Sequence, residues 1–170
     1  AALRLHVGFD LTIGSLSGGG ALGGNVDLNG RTLTVGNALD TIYSGSLENT
    51  GALIKQGTGK LTLDGANAYN GATTINAGTL QLGNGGTTGS LDPAGAITND
   101  GTFTINRSNA VTQGVDFHGG SIVGTGGFTQ AGTGVTRLAT NGYSGPTTVT
   151  AGTLSVNGTL LNSSAVQVTG

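Results

Sequence analysis

Short runs in which two apolar side chains flank one polar residue recur about every dozen positions along the chain. A period of two places successive side chains on opposite faces and is typical of a half-buried β-strand. The apolar pairs are Leu33/Val35, Leu61/Leu63, Leu80/Leu82, Phe103/Ile105, Leu154/Val156 and Val166/Val168. Gly, Asn and Asp cluster between these runs and favour tight turns, because they tolerate positive φ. The pattern predicts an all-β chain of short strands joined by many turns.

Two segments of the chain repeat each other, at about 46–83 and 121–158. They share a Gly-Thr-Gly turn, a tyrosine and the sequence Ala-Gly-Thr-Leu. The offset is 75 residues before a one-residue gap and 74 after it. A weaker similarity links residues 29–37 with 99–107. The chain therefore holds roughly two units of about 75 residues.

This repetition favours a β-solenoid over a sandwich or a barrel, because each coil buries its inward row against the next coil. Rungs of roughly 20 residues, stacked ~4.8 Å apart, give about seven to nine rungs. We expect residues 1–170 to form one parallel β-helix, as a single segment of a longer protein.

Composition narrows the classes of partner. Only 8% of the residues are charged and the net charge is -2, so no basic surface for nucleic acid is expected. No apolar run approaches the ~20 residues of a membrane-spanning helix, and direct membrane insertion is not expected. The chain has no cysteine, which excludes disulfides and thiolate metal sites. It begins at Ala1 without a signal-peptide pattern, and we expect an excised piece of something longer.

Residues 51–83, GALIKQGTGKLTLDGANAYNGATTINAGTLQLG, closely resemble the passenger-associated transport repeat of bacterial autotransporters. Residues 126–156 resemble a diverged copy, and residues 9–37 resemble the stretch that commonly precedes such a repeat. The resemblance implies a right-handed β-helix in the secreted passenger of a Gram-negative autotransporter. It also implies export through the outer membrane to the cell surface by a separate C-terminal barrel. It is specific for the repeat family and not for any biochemical activity.

One acid and base pair is spaced for catalysis. Asp116 and His118 flank Phe117, which would place both on one face of a strand, where a carboxylate could orient an imidazole. No nucleophile motif accompanies them, and we expect a surface pair around an inward Phe117. His6 has no acidic neighbour before Asp10, and we give it no role.

The acidic residues are otherwise scattered, at Asp10, Asp27, Asp40, Glu48, Asp64, Asp92, Asp100 and Asp116. A glycosidase needs two carboxyl groups a fixed few ångströms apart. Asp92 and Asp100 could approach each other across a turn, but Asp92-Pro93 is more simply turn chemistry. We therefore expect no catalytic residues and no enzyme.

Two glycine-rich stretches resemble ligand loops only superficially. Residues 18–28 contain one imperfect copy of a calcium-binding Gly-Asp repeat, which requires tandem copies. Residues 83–89 lack the lysine and the following helix of a phosphate-binding loop. No metal or cofactor site is expected.

Aromatic and basic residues near the turns have two interpretations each. Tyr69 and Tyr143 occupy the same repeat position, either exposed for stacking on sugars or packed over a turn with a local hydroxyl bond. Their equivalence favours packing. Lys55 and Lys60, which become Gln130 and Val135 in the second copy, are interpreted as solvated charges.

Three functions follow as hypotheses. The first is a structural passenger segment that aids folding and secretion and presents a surface adhesin or virulence factor, with its own C-terminal outer-membrane barrel as partner. The alternative is an adhesin module that binds host matrix, glycans or another copy of itself, since unpaired strand edges favour self-association. A polysaccharide-active enzyme is the third and least favoured.

We predict that Leu61→Asp or Leu80→Asp disrupts the local rungs, since an unpaired buried charge costs several kcal/mol. Thermal unfolding measures this effect, and an unchanged transition would contradict the inward placement of these leucines. On the same pattern, Thr62→Lys is expected to be nearly silent.

Overall fold

The computed structural model describes residues 2–5, 9–20, 24–163 and 165–169. These ranges contain eighteen strands and no helix, hence none long and apolar enough to cross a membrane. The strands are β1 (Ala2–Arg4), β2 (Leu11–Ile13), β3 (Asn25–Asp27), β4 (Arg31–Val35), β5 (Thr41–Tyr43), β6 (Leu47–Glu48), β7 (Gly51–Lys55), β8 (Lys60–Leu63), β9 (Thr73–Ile75), β10 (Thr79–Leu82), β11 (Ile97–Asn99), β12 (Thr102–Ile105), β13 (Val111–Thr112), β14 (Gly127–Gln130), β15 (Val135–Leu138), β16 (Thr147–Val149), β17 (Thr153–Val156) and β18 (Val166–Val168).

The strands form four parallel sheets that lie on the sides of one coil. The long sheet has the order β18-β16-β14-β12-β10-β8-β5, and the five-stranded sheet has the order β11-β9-β7-β4-β2. Two three-stranded sheets complete the sides, the N-terminal sheet (β1-β3-β6) and the C-terminal sheet (β13-β15-β17). Neighbouring strands within a sheet lie one turn apart along the chain. The prediction of an all-β parallel β-helix is confirmed, with about eight turns.

The core is a set of apolar side chains stacked in register. In the long sheet Leu61 pairs with Leu80, Leu80 with Phe103, and Phe103 with Phe128, and all four side chains are buried. The ring centroids of Phe103 and Phe128 lie 6.0 Å apart in an edge-on arrangement. Each turn therefore removes its apolar row from water by covering the row of the turn before.

Glycine is required at the corners because successive turns approach too closely for side chains. A Cβ atom on Gly71 would overlap the carbonyl oxygen of Gly51, and one on Gly95 would overlap that of Gly71. This column of three residues passes through three successive turns. Part of the unusual glycine content is thus imposed by stacking.

The two repeat copies are not stacked on each other. In the first copy, β7 and β9 lie in the five-stranded sheet, and their counterparts in the second copy, β14 and β16, lie in the long sheet. In the same way β8 and β10 lie in the long sheet, and their counterparts β15 and β17 lie in the C-terminal sheet. Three turns of the long sheet, from Leu61 to Phe128, take 67 residues. An offset of 75 exceeds this by about the length of one side. The second copy is therefore rotated by one side of the coil.

The last predicted strands are less buried than their pattern indicates. Val156 is 39% exposed, and Val166 and Val168 are 63% and 71% exposed. They lie in the last described turns, where no further described strand packs over them. Alternation correctly identifies the strands, but burial requires a neighbouring turn.

The expectation that Thr62 is exposed is wrong. Thr62 is only 1% exposed, although it alternates with the inward Leu61 and Leu63. Its in-register neighbours in the long sheet are Ile42 and Gln81, both longer side chains that flank it directly. Thr62→Lys would have to displace them and is not a silent control.

Ile42 gives a better control, because it lies in the same sheet and is 44% exposed. We expect Leu61→Asp to lower the free energy of unfolding by several kcal/mol, since it buries an unpaired carboxylate. Ile42→Asp introduces the same group at the surface, and we expect a loss of about 1 kcal/mol or less. Denaturant titration compares the two variants, and equal losses would contradict this account of the core.

Candidate functional site

Asp116 and His118 do not form an acid and base pair. Phe117 is fully buried, as expected, and packs edge-on against Phe103 at 5.6 Å between ring centroids. Asp116 lies in a turn and not in a strand, which corrects the predicted geometry. Its carboxylate binds Arg107 at 2.8 Å and accepts a hydrogen bond from the backbone N–H of Thr112. The carboxylate thus fixes a turn and does not orient the imidazole.

Arg107 forms a clamp that sequence reasoning missed. It is 6% exposed, and its Nη1 donates to Asp116 and to the carbonyl oxygen of Gly89. Its Nε donates to the side chain of Asn109. A buried guanidinium is tolerated only when its donors are satisfied. The clamp joins the loop after β10 to the segments after β12 and β13, and no local pattern in the sequence marks it.

Several acidic residues join neighbouring turns. Asp10 accepts from the backbone N–H of Thr32 and Asp40 from that of Lys60, each about one turn later. Asp100 accepts from both the backbone N–H and the hydroxyl of Thr125. These hydrogen bonds lower the pKa of the exposed Asp100 carboxyl, with the backbone N–H as the larger cause. The scattered acids therefore hold one turn to the next.

Asp92 and Asp100 serve separate turns. Asp92 accepts from the backbone N–H of Ala94 at 2.8 Å, which confirms the turn interpretation of Asp92-Pro93. Asp100 is engaged by Thr125 as described. Among the residues that the structure describes, no three His, Asp or Glu side chains are grouped so that they could hold a metal ion.

The two repeated tyrosines are buried, which confirms their predicted packing. Tyr69 and Tyr143 are each 1% exposed, and their hydroxyls bond the Oγ1 atoms of Thr73 and Thr147 at 2.6 and 2.7 Å. Burial raises the pKa of both phenols, partly offset by these bonds. In Tyr43, burial and then the charge of Glu48 raise the pKa to about 12. Sugar stacking on these rings is excluded by their burial.

An asparagine two positions before each repeated tyrosine is buried as well. The Oδ1 of Asn67 accepts from the backbone N–H of Leu47, and that of Asn141 accepts from the backbone N–H of Ile122, one turn earlier in both cases. Each asparagine also donates Nδ2 to the carbonyl oxygen two residues before it. The repeat thus preserves a local corner motif even though its copies lie on different sides of the coil.

Gln113, which precedes the second copy, adds to the corner motif around Asn141. Gln113 and Asn141 exchange two side-chain amide hydrogen bonds, of 3.0 and 2.9 Å. The Oε1 of Gln113 also accepts from the backbone N–H of Ala139. This buried pair is fully engaged within the protein and presents no group to a ligand.

The interpretation of Lys55 as a solvated charge is wrong. Lys55 is 2% exposed, and its Nζ donates to the carbonyl oxygens of Gln56, Gly57 and, one turn later, Ala77. Burial lowers the pKa of its ammonium group, against the opposing charge of Asp40. Lys60 is half-buried, and its backbone N–H donates to the carboxylate of Asp40.

The exchange of Lys55 for Gln130 follows from this geometry. The Nε2 of Gln130 donates to the carbonyl oxygen of Gly132, the repeat equivalent of Gly57. Both side chains are N–H donors of sufficient length to satisfy the same turn. Lys55 and Gln130 differ in charge, but both side chains can donate hydrogen bonds. This shared property was the sequence signal that could have indicated burial.

The remaining candidates supply no chemical centre. His6 and residues 21–23 of the stretch 18–28 lie outside the described residues. In the stretch 83–89, Gly89 is bound by Arg107 as part of the clamp. Open grooves in the described part of the chain include one lined by Ser44, Ser46, Asp64 and Thr88 and another lined by Leu3, Leu16 and Tyr43.

Residues 53–82 and 128–156 match the family model of the passenger-associated transport repeat. The chain carries two passenger-associated transport repeats. The first repeat extends from β7 to β10 and the second from β14 to β17. The resemblance found in the sequence is thereby confirmed, and both repeats contain the buried asparagine, tyrosine and threonine of the corner motif.

The repeats occur within a wider similarity. The chain is 47% identical over 95 residues to the adhesin BmaC autotransporter of Brucella suis biovar 1 (strain 1330). The match covers 52% of this chain and 3% of the length of that relative. No solved structure matches the chain. Together the two matches support a β-helical segment of an autotransporter passenger.

We predict that Lys55→Met lowers the free energy of unfolding by roughly 2–4 kcal/mol, because it leaves three carbonyl oxygens without their donor. Lys60→Met is the matched control, since its backbone bond to Asp40 is retained, and we expect little change. Denaturant titration of both variants decides the point. Similar small losses in both would mean that the Lys55 bonds do not stabilise the fold.

The raised pKa values of the three tyrosines predict that the protein loses stability at alkaline pH. Above pH 10 the unfolded chain loses phenolic protons that the folded chain retains, since the pKa of Tyr43 is about 12 and those of Tyr69 and Tyr143 are also raised. The unfolded state then binds fewer protons, and the free energy of unfolding falls as pH rises through this window.

Thermal unfolding from neutral pH to pH 12, with tyrosinate absorbance recorded in parallel, measures this effect. Tyr69→Phe removes one titrating group and should flatten the alkaline decline while lowering stability at neutral pH. Tyrosinate formation in the still-folded protein near pH 10 would contradict the prediction.

Proposed function

We propose that this chain is a structural β-helical segment of a secreted autotransporter passenger, which aids folding during export and holds other parts of the passenger at the bacterial surface. The observation that carries the proposal is the unbroken ladder of in-register turns, from β5 to β18 in the long sheet. The carboxylates that looked chemical in the sequence are engaged in hydrogen bonds that hold the turns, Asp100 with Thr125 and Asp116 with Arg107 and Thr112. The two transport repeats support the same function.

Stepwise stacking is the proposed mechanism. When β10 pairs with β8, Leu80 covers Leu61 and the backbone of the new turn finds its hydrogen-bond partners. Burial of one such leucine contributes about 1.5–3 kcal/mol. A turn that has docked cannot move back through the outer membrane without losing this contribution. The folded turns therefore favour outward movement of the chain that follows.

The cellular setting is part of the proposal and rests on similarity to the adhesin autotransporter. The partner is the protein's own C-terminal outer-membrane barrel, and the location is the extracellular surface of a Gram-negative bacterium. No nucleic acid, cofactor, metal or catalytic residue takes part. The segment acts by its folding and by its rigidity.

The alternative is a direct adhesin that binds host matrix, glycans or a second copy of the segment. Two observations favour it over an enzyme. The name of the relative includes the word adhesin. Threonines also pair in register on the five-stranded sheet, Thr12 with Thr34 and Thr74 with Thr98, which repeats hydroxyl groups along one side. An enzyme is least favoured, because Asp116 is bound to Arg107.

The test uses the full-length protein displayed on its own bacterium, with residues 46–158 deleted. Surface passenger is measured by protease shaving, and host-cell attachment is measured in the same cultures. Loss of surface display supports the role in folding and export. Normal display with lost attachment would overturn it in favour of the adhesin.

Two smaller changes separate stacking from mere length. Deletion of residues 53–72 removes one whole turn and brings Thr73 into the register position of Leu53. We expect it to preserve display, because the ladder remains continuous. Leu61→Asp keeps the length but interrupts the stack, and we expect lower display. Equal display of both variants would contradict the stacking mechanism.

A further inference from the structure

The chain contains five Asn-Gly pairs, at Asn29-Gly30, Asn70-Gly71, Asn84-Gly85, Asn141-Gly142 and Asn157-Gly158. In such a pair the backbone nitrogen of glycine can attack the side-chain carbonyl carbon of asparagine. A carbon–nitrogen bond forms, the side-chain amide bond breaks, and ammonia leaves with the proton from the glycine nitrogen. Water then opens the cyclic imide to aspartate or isoaspartate. The reaction needs a free asparagine side chain and an available glycine N–H.

The fold restrains both groups in two of the five pairs. Asn141 is fully buried, its Nδ2 donates to Gln113, and the N–H of Gly142 donates to the carbonyl oxygen of Ile122. In the Asn29-Gly30 pair, the Nδ2 of asparagine donates to the carbonyl oxygen of Leu5 and the glycine N–H donates to Thr50. Attack at either pair requires local opening of a turn.

A third pair is restrained at the nucleophile. Asn84 is exposed, but the N–H of Gly85 donates to the carbonyl oxygen of Asn106 at 2.8 Å. This bond joins the loop after β10 to the next turn. The nitrogen is therefore held away from the asparagine side chain by the same stacking that orders the coil.

The remaining two pairs are not restrained at the glycine nitrogen, although the Oδ1 of Asn157 accepts a hydrogen bond from the Ser155 hydroxyl at 3.0 Å. Asn70 and Asn157 are exposed, and neither Gly71 nor Gly158 donates its N–H to an acceptor in the described ranges. We propose that Asn70 and Asn157 are the spontaneous deamidation sites of this segment, and that the fold protects Asn29, Asn84 and Asn141. The sites are defined by which glycine N–H groups the neighbouring turn leaves unbound.

Both sites lie directly against the preceding turn of the coil. Asn70 donates its backbone N–H to Asn49, and Gly71 lies in the corner column directly against the carbonyl oxygen of Gly51. Isoaspartate at Asn70 lengthens the backbone inside this tight stack. Asn157 likewise donates its backbone N–H to Leu138, and Gly158 packs tightly against the backbone of Ala139 and Thr140. Conversion is therefore expected to disturb the coil at both sites.

The test incubates the protein at mildly alkaline pH, both folded and in denaturant, and follows each pair by peptide mapping with mass spectrometry. In denaturant all five pairs should convert at similar rates. In the folded protein Asn70 and Asn157 should convert at least roughly tenfold faster than Asn29, Asn84 and Asn141, since these require opening. Asn70→Gln removes one site and should leave the rate at Asn157 unchanged.

Two results would overturn the proposal. The first is conversion of Asn141 as fast as that of Asn70 in the folded protein. The second is conversion of Asn70 and Asn157 only after unfolding. The isoaspartate fraction at each site, separated chromatographically, also distinguishes imide formation from direct hydrolysis of the amide.

Discussion

In-register parallel stacking is the constraint on which the rest of this structure depends. Within each described sheet, a strand residue lies beside its counterpart one turn away, about 4.8 Å off in the hydrogen-bonding direction. Like charges at such positions would repel each other, and unlike shapes would leave gaps. The low charge, the leucine and phenylalanine rows and the corner glycines all satisfy this single condition. The composition of the chain is therefore restricted to residues that can be stacked on their neighbours in this way.

Polar groups inside the coil complete the stacking where hydrogen bonds between strands cannot. Lys55, Asn67 and Arg107 each bind backbone or side-chain groups of more than one turn. A corner has no regular ladder, so its carbonyl and N–H groups need donors and acceptors from side chains. Apolar rows therefore hold the sides of the coil, and buried polar side chains hold its corners.

The sequence predicts the features that depend on local alternation and fails for those that depend on the adjacent turn. The inward rows from Leu33 to Ile105 and the packing of Tyr69 and Tyr143 follow from short motifs, and the structure confirms them. Thr62 and Lys55 were misjudged because their burial is decided by Ile42, Gln81 and Ala77, all about one turn away. Arg107 was missed because its partner Asp116 is near only once the loop is folded. The amino-acid sequence alone does not reveal which residues become neighbours from one turn to the next.

Because the second repeat is rotated by one side of the coil, duplication does not place the same outward residues on the same side. Corresponding outward residues of the two copies lie on different sides of the coil and face different directions around its axis. A repeat whose length is not a whole number of turns distributes one surface motif around the circumference. An approaching macromolecule would then meet that motif from more than one direction, without any bend or hinge in the rod.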